Sequence, residues 1–218
     1  VAEVKFCGLT RAEDAARAAT LGARYVGVIF AGGPRVLTAE RAAEVLAAVP
    51  AGTARRVGVL GAQDADTALR LAGIAALDVL QMTYGAERER RIGLRERFAG
   101  ELWAVSHVDS VKGIAVDEVL RWYDDGVDAV VLDAAVPGQL GGTGVRLDWA
   151  AIAPAVNALR ARGRVVLAGG LRPENVADAL RVLDVDVVDV SSGVESAPGI
   201  KDPERMRAFA AAARTHEV

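Results

Sequence analysis

Cysteine is nearly absent from this chain. The one thiol, Cys7, can form no internal disulfide, which suits a reducing, cytoplasmic setting. Histidine is almost as scarce, and His107 and His216 lie too far apart in sequence to suggest a metal site. No apolar run reaches the roughly 18 residues that span a bilayer, and the N-terminus lacks the basic-then-apolar layout of a signal peptide. Basic blocks are missing too. Arg residues are scattered among Glu on helix faces, and a formal net charge of -3 argues against a nucleic-acid partner. There is no P-loop, no serine-triad signature, and no linker or low-complexity stretch to mark a domain boundary.

What is present is a regular alternation. With 218 residues, 52% of them hydrophobic, the chain can bury a large core. Short runs rich in Val, Ile and Leu at 4–9, 25–31, 56–60, 79–83, 102–108, 129–133, 165–168 and 187–190 read as strands. Helical periodicity separates them, at 11–21, 38–49, 64–75, 87–98, 116–125, 148–162, 173–183 and 202–214. Thr38 stands as a candidate N-cap, and Pro173 and Pro203 fall at helix starts, where a missing N–H does no harm.

Strict strand–helix alternation implies a parallel sheet, and near-continuous apolar strands imply that both its faces are covered. Eight such units predict a single (β/α)8 TIM barrel over residues 1–218, with its site at the C-terminal strand ends. A doubly wound open sheet is the rival. It would announce a Gly-rich phosphate turn after the first strand, and Cys7-Gly8-Leu9-Thr10-Arg11 is not that fingerprint.

The strand ends then give a short set of candidates. Gly169-Gly170 after the seventh strand and Ser192-Gly193 after the eighth suit a phosphate, because small residues let backbone N–H groups approach an anion. One such turn alone would more often be a tight strand-to-helix corner. Two adjacent turns make phosphate binding the better reading. Asp133 closes the sixth strand as either a cap or an acid, and a Gly-containing stretch, 134–146, follows it as a candidate cover. By residue type Cys7 is a small core residue; by position it points into the barrel mouth. Lys5 shares its strand face, either with a role inside the barrel or reaching solvent at one end. A nearby phosphate would raise the thiol's pKa, whereas Lys5 or Arg35 would lower it.

Several stretches together resemble the phosphoribosylanthranilate isomerase family. They are Val4-Lys5-Phe6-Cys7-Gly8-Leu9-Thr10 with Glu13-Asp14, Pro34-Arg35 after Gly27-Val28-Ile29-Phe30, and Gly141-Gly142-Thr143-Gly144 with Asp148-Trp149. Further along come Leu167-Ala168-Gly169-Gly170-Leu171 with Pro173-Glu174-Asn175-Val176, and Asp189 to Glu195 with Pro198-Gly199 and Lys201-Asp202. The resemblance spans nearly the whole chain. It implies an isomerase of tryptophan biosynthesis that needs no cofactor and takes a phosphosugar-anthranilate substrate through an Amadori rearrangement. By the same resemblance Asp133 is the general acid and Cys7 the general base, with pKa values pushed toward opposite roles. Arg35 matches a residue beside the anthranilate carboxylate, Asp189 one near the reacting carbons, and Gly169, Gly170, Ser192 and Gly193 the phosphate turns.

Two departures stand out. Gly33 replaces the usual Ser before Pro-Arg, which loosens the loop carrying Arg35. Gln81-Met82-Thr83-Tyr84-Gly85 replaces a histidine-containing end of strand 4, so substrate scope is open to change. A histidine-pathway sugar-phosphate isomerase is the nearest rival, and Cys7 in place of a carboxylate counts against it. A phosphate-binding barrel without catalysis is the other. Monomer and homodimer are not distinguished by the sequence.

Overall fold

In the computed structural model, residues 1–83, 87–108, 113–134 and 148–215 are described. Tyr84, Gly85, the Gly141–Gly144 motif and His216 lie outside these residues, as does most of the expected cover. Eight parallel strands close into a barrel in sequence order, the ring completed by the pairing of the eighth with the first. They are β1 (Glu3–Phe6), β2 (Tyr25–Ile29), β3 (Arg55–Leu60), β4 (Val79–Met82), β5 (Glu101–Val108), β6 (Ala129–Ala134), β7 (Arg164–Leu167) and β8 (Val187–Val190). The helices between and after them are α1 (Ala12–Thr20), α2 (Ala39–Ala47), α3 (Ala65–Ile74), α4 (Arg88–Arg95), α5 (Val116–Asp124), α6 (Trp149–Arg160), α7 (Val176–Val182) and α8 (Pro203–Arg214). The barrel expectation holds, and no helix among the described residues is long and apolar enough to cross a membrane.

Alternation along each strand divides the interior into two layers. One face, including Val4, Phe6, Val26, Val28, Leu80, Leu132 and Val188, packs against the helices. The other fills the barrel lumen with Tyr25, Val57, Val79, Trp103, Val105, Ala129, Val131, Val166, Ala168 and Val187. Lys5 and Cys7 belong to the luminal set by the same period of two. At the N-terminal end the first residues of β1, β3, β5 and β7 are Glu3, Arg55, Glu101 and Arg164. They form the ion pairs Arg55–Glu101 and Arg164–Glu3.

Helix starts follow the capping expectation. Thr38 Oγ1 accepts from Arg41 N at 3.2 Å, and Asp64, Asp148 and Asp202 serve α3, α6 and α8 in the same way. Pro203 opens α8 as expected. Pro173 does not open α7. It sits in a turn where Asn175 Oδ1 accepts from Arg172 N at 2.8 Å, and the helix begins three residues later, at Val176. A short 3-10 turn (Ser192–Val194) and a hairpin of β9 (Glu195–Ala197) and β10 (Ile200–Lys201) follow β8, and no apolar run foreshadowed them.

Candidate active site

β1 ends at Phe6 because Gly8 turns the chain with φ +68°. The ladder nevertheless runs on: Cys7 N donates to Val190 O at 2.9 Å and Leu9 N to Gly27 O at 2.9 Å. Cys7 is thus held by both neighbouring strands, with its thiol buried in the lumen. A Cβ on Gly27 would lie 3.2 Å from Cys7 Sγ and 3.5 Å from Lys5 Cε, so the missing side chain there makes room for both.

Lys5 does not reach solvent. It is fully buried, donates to Asp189 Oδ2 at 2.7 Å, and lies 6.0 Å from the centre of the Trp103 ring. The second oxygen, Asp189 Oδ1, is buried without a partner among the described residues and belongs to a carboxylate lining the mouth. A buried unpaired carboxylate oxygen is costly, and its natural complement is a hydroxyl or N–H of a ligand.

Cys7, Asp133, Arg35, Asp189, Gly169, Gly170, Ser192 and Gly193 all line one cleft at the C-terminal ends of the strands. His107, paired in register with Asp133, lines it as well. Thr83, at the position of the missing histidine, lines the cleft and donates its hydroxyl to Leu60 O at 2.7 Å.

The two phosphate-type turns touch. A Cβ on Gly193 would fall 1.9 Å from Leu171 O, which leaves only glycine able to pass there. Gly169 and Gly170 hold φ +81° and +68°, and Asn175 Nδ2 braces the turn by donating to Gly170 O at 2.9 Å. Among the described residues the amides of Gly170, Ser192 and Gly193 donate to no backbone carbonyl. They are donors awaiting an acceptor. Gly169 has a further task, since a Cβ there would lie 2.8 Å from Asp133 Oδ1.

Burial pushes the Asp133 carboxyl above its ordinary value, with His107 pulling the other way. The thiol moves in the same direction: burial raises Cys7, against the lowering influence of Lys5 and Lys201. The expectation of opposite shifts is therefore met for Asp133 and not for Cys7. The cause is plain. Burial is the largest influence on the thiol, and the charge of Asp189, which raises it, works against the lowering charge of its partner Lys5.

Arg35 is held by Glu195, which the sequence placed only within a motif. Arg35 Nε and Nη2 donate to Glu195 Oε1 and Oε2, both at 2.7 Å, and Lys201 Nζ donates to Oε1 at 2.8 Å. Burial works to raise Glu195, but the two cations hold its carboxyl below the usual range. Burial pushes the Lys201 ammonium down. A compositional signal pointed to both ammonium groups. The chain has 3 lysines among 26 basic residues, and two of the three, Lys5 and Lys201, are buried. In so Arg-rich a chain, a retained lysine marks a place that needs a compact ammonium.

A closed parallel barrel with a thiol, two carboxylates, a guanidinium and unpaired amides around one mouth defines a barrel enzyme for a small anionic substrate. The chain belongs to the N-(5'-phosphoribosyl)anthranilate isomerase family, whose model, described as N-(5'phosphoribosyl)anthranilate (PRA) isomerase, matches residues 4–212. The enzyme of that name from Citrifermentans bemidjiense is 38% identical over 213 residues, covering 97% of each chain. That from Paracoccus denitrificans is 40% identical over 224 residues, covering 96% of each. Among solved structures, phosphoribosyl anthranilate isomerase from Thermotoga maritima superposes with a TM-score of 0.87 at 30% identity, over 98% of this chain and 99% of that one. A phosphoribosyl anthranilate isomerase in complex with reduced 1-(o-carboxyphenylamino)-1-deoxyribulose 5-phosphate has a TM-score of 0.83 at 28% identity, over 98% and 99%.

Proposed function

We propose that this barrel catalyses the Amadori rearrangement of N-(5'-phosphoribosyl)anthranilate to 1-(2-carboxyphenylamino)-1-deoxyribulose 5-phosphate, a step of tryptophan biosynthesis, as a single-domain cytoplasmic enzyme. The observation that carries the assignment of roles is the convergence of Cys7, Asp133 and three backbone amides, unpaired among the described residues, on one cleft. The phosphate binds at Gly169, Gly170, Ser192 and Gly193, where the N–H groups of Gly170, Ser192 and Gly193 donate to its oxygens with little side-chain obstruction. Arg35 faces the anthranilate carboxylate with its remaining N–H edge. The buried oxygen of Asp189 takes a ribose hydroxyl.

Asp133 donates its proton to the ribose ring oxygen. The C1'–O bond breaks, and the anilino nitrogen lone pair closes the C1'=N iminium. Cys7 thiolate removes the C2' proton, and the C–H electron pair forms the C1'=C2' double bond while the iminium electrons return to nitrogen. The enolamine then tautomerises to the ketone, so atoms and charge balance without an external oxidant. A carboxyl raised by burial is suited to the first step, since it keeps its proton to higher pH.

The test is turnover of phosphoribosylanthranilate by the purified chain without added cofactor, followed as loss of anthranilate-type fluorescence. Cys7→Ser and Asp133→Asn are each expected to lower kcat by about 10²-fold or more. Full activity in either variant overturns that residue's role.

A further inference from the structure

We propose that Glu195, braced by Lys201, is a positioning residue: it aims the Arg35 guanidinium over the mouth and so governs recognition of the substrate's aromatic carboxylate. This rests on the role given to Arg35 above. The loop carrying Arg35 does little to hold it. Gly32 and Gly33 sit at φ +31° and +92°, and a Cβ at either would meet no atom of the described residues within 4 Å.

The hold comes from across the mouth. Glu195 grips the Nε–Nη2 edge of Arg35 with both oxygens, which fixes the guanidinium plane as well as its position. The side chain reaches that grip by passing over Gly8, where a Cβ would lie 2.6 Å from Arg35 Cδ. Among the described residues, Nη1 of Arg35 has no hydrogen-bond partner, so that end of the fork is free for a second carboxylate.

Glu195 is fixed in turn. Its carboxylate meets two cations, and the second, fully buried Lys201, also donates to Ser191 O at 3.1 Å in the turn that opens the phosphate site. Removing the carboxylate's charge would leave two cations facing each other in a poorly solvated place. Arg35 is the more exposed of the two, 16% against 0%, and is the one that would swing away.

The test compares Glu195→Gln, Arg35→Lys and the double variant in steady-state kinetics, with inorganic phosphate as a competing inhibitor. Glu195→Gln is expected to raise KM about tenfold or more, the scale of one charge-assisted hydrogen bond. With kcat nearly unchanged and phosphate inhibition unaltered, the loss is one of uniform binding at the carboxylate end. Because Glu195 acts through Arg35, the double variant should be no worse than the poorer single one. Additive losses, or an unchanged KM in Glu195→Gln while Arg35→Lys raises it, overturn the proposal and leave the role of Arg35 intact. Unchanged kinetics in Arg35→Lys instead overturn that role and the proposal with it. Should Glu195→Gln fail to fold, Glu195→Asp carries the same test, since it keeps the charge beside Lys201 but is one methylene too short to grip Arg35 with both oxygens. A raised KM with unaltered phosphate inhibition then supports the proposal, and an unchanged KM overturns it.

Discussion

Asp133 and Cys7 are shifted in the same direction, and this has a kinetic consequence. The rearrangement needs a protonated Asp133 and an ionised Cys7, yet the carboxyl, though raised, still loses its proton before the raised thiol does. The reactive pairing is therefore the minor form of the singly protonated pair. Below the Asp133 pKa both groups are protonated and the base is lost; above the Cys7 pKa both are ionised and the acid is lost. The rate kcat/KM is expected to trace a bell, its acid limb above the ordinary carboxylate value of about 3.9 and its alkaline limb above the ordinary thiol value of about 8.5. In Asp133→Asn the residual rate should only rise with pH, following ionisation of the thiol, and in Cys7→Ser it should only fall, following ionisation of the carboxyl. An alkaline limb that stays at its wild-type position in Cys7→Ser would show that another group sets it. At this scale the positions of both residues were legible from the sequence, because a strand end in a barrel has only one mouth to face. The thiol's shift was not. It depends first on burial, and then on the opposed charges of Lys5 and Asp189, residues 184 positions apart.

The strand ends meet one another as well as the substrate. Gly169, at the end of β7, sits against the end of β6, where a Cβ would press within 2.6 Å of Ala134 N and 2.8 Å of Asp133 Oδ1. Gly169→Ala is accordingly expected to lower kcat by up to about 10²-fold through displacement of Asp133. Strain at φ +81° adds a stability loss of about 1 kcal/mol. A variant with lower stability but unaltered kcat would show that this glycine serves the fold alone. The strand starts hold a related lesson. β2, β4, β6 and β8 begin where their apolar runs begin, whereas β1, β3, β5 and β7 each begin one residue earlier, at Glu3, Arg55, Glu101 and Arg164. A charged first residue hides a strand start, since hydrophobic runs mark only the part that is buried. Pro173 misled for a different reason: Asn175 uses its side chain to stabilise a turn before the helix, an alternative open to Asn wherever it follows a strand.

Across the whole molecule the two ends of the barrel divide their tasks. Among the described residues the C-terminal mouth keeps amides and a carboxylate oxygen unpaired, whereas the N-terminal end is closed by paired charges. There Arg164 bonds Glu3 and donates to Tyr25 OH at 2.8 Å, and Trp103 Nε1 donates to Glu101 Oε2 at 2.8 Å, above the Tyr25–Trp103 edge-to-face contact at 4.6 Å. These groups stopper the lumen and lie on the opposite side of it from Cys7 and Asp133, so stability and chemistry should separate. Arg164→Met removes an ion pair whose side chains are 36% and 37% exposed and a hydrogen bond to the buried Tyr25, and is expected to cost roughly 1–2 kcal/mol. For a chain of this size that is a fall of about 2–8 °C in Tm. KM, kcat and the pH bell should stay at their wild-type values, and the Tm difference should shrink as salt screens the Glu3 pair. A kinetic defect in Arg164→Met would mean that the charged floor reaches the site through the luminal stack of Tyr25, Trp103 and Lys5, and the two ends of the barrel would then have to be treated as one electrostatic unit.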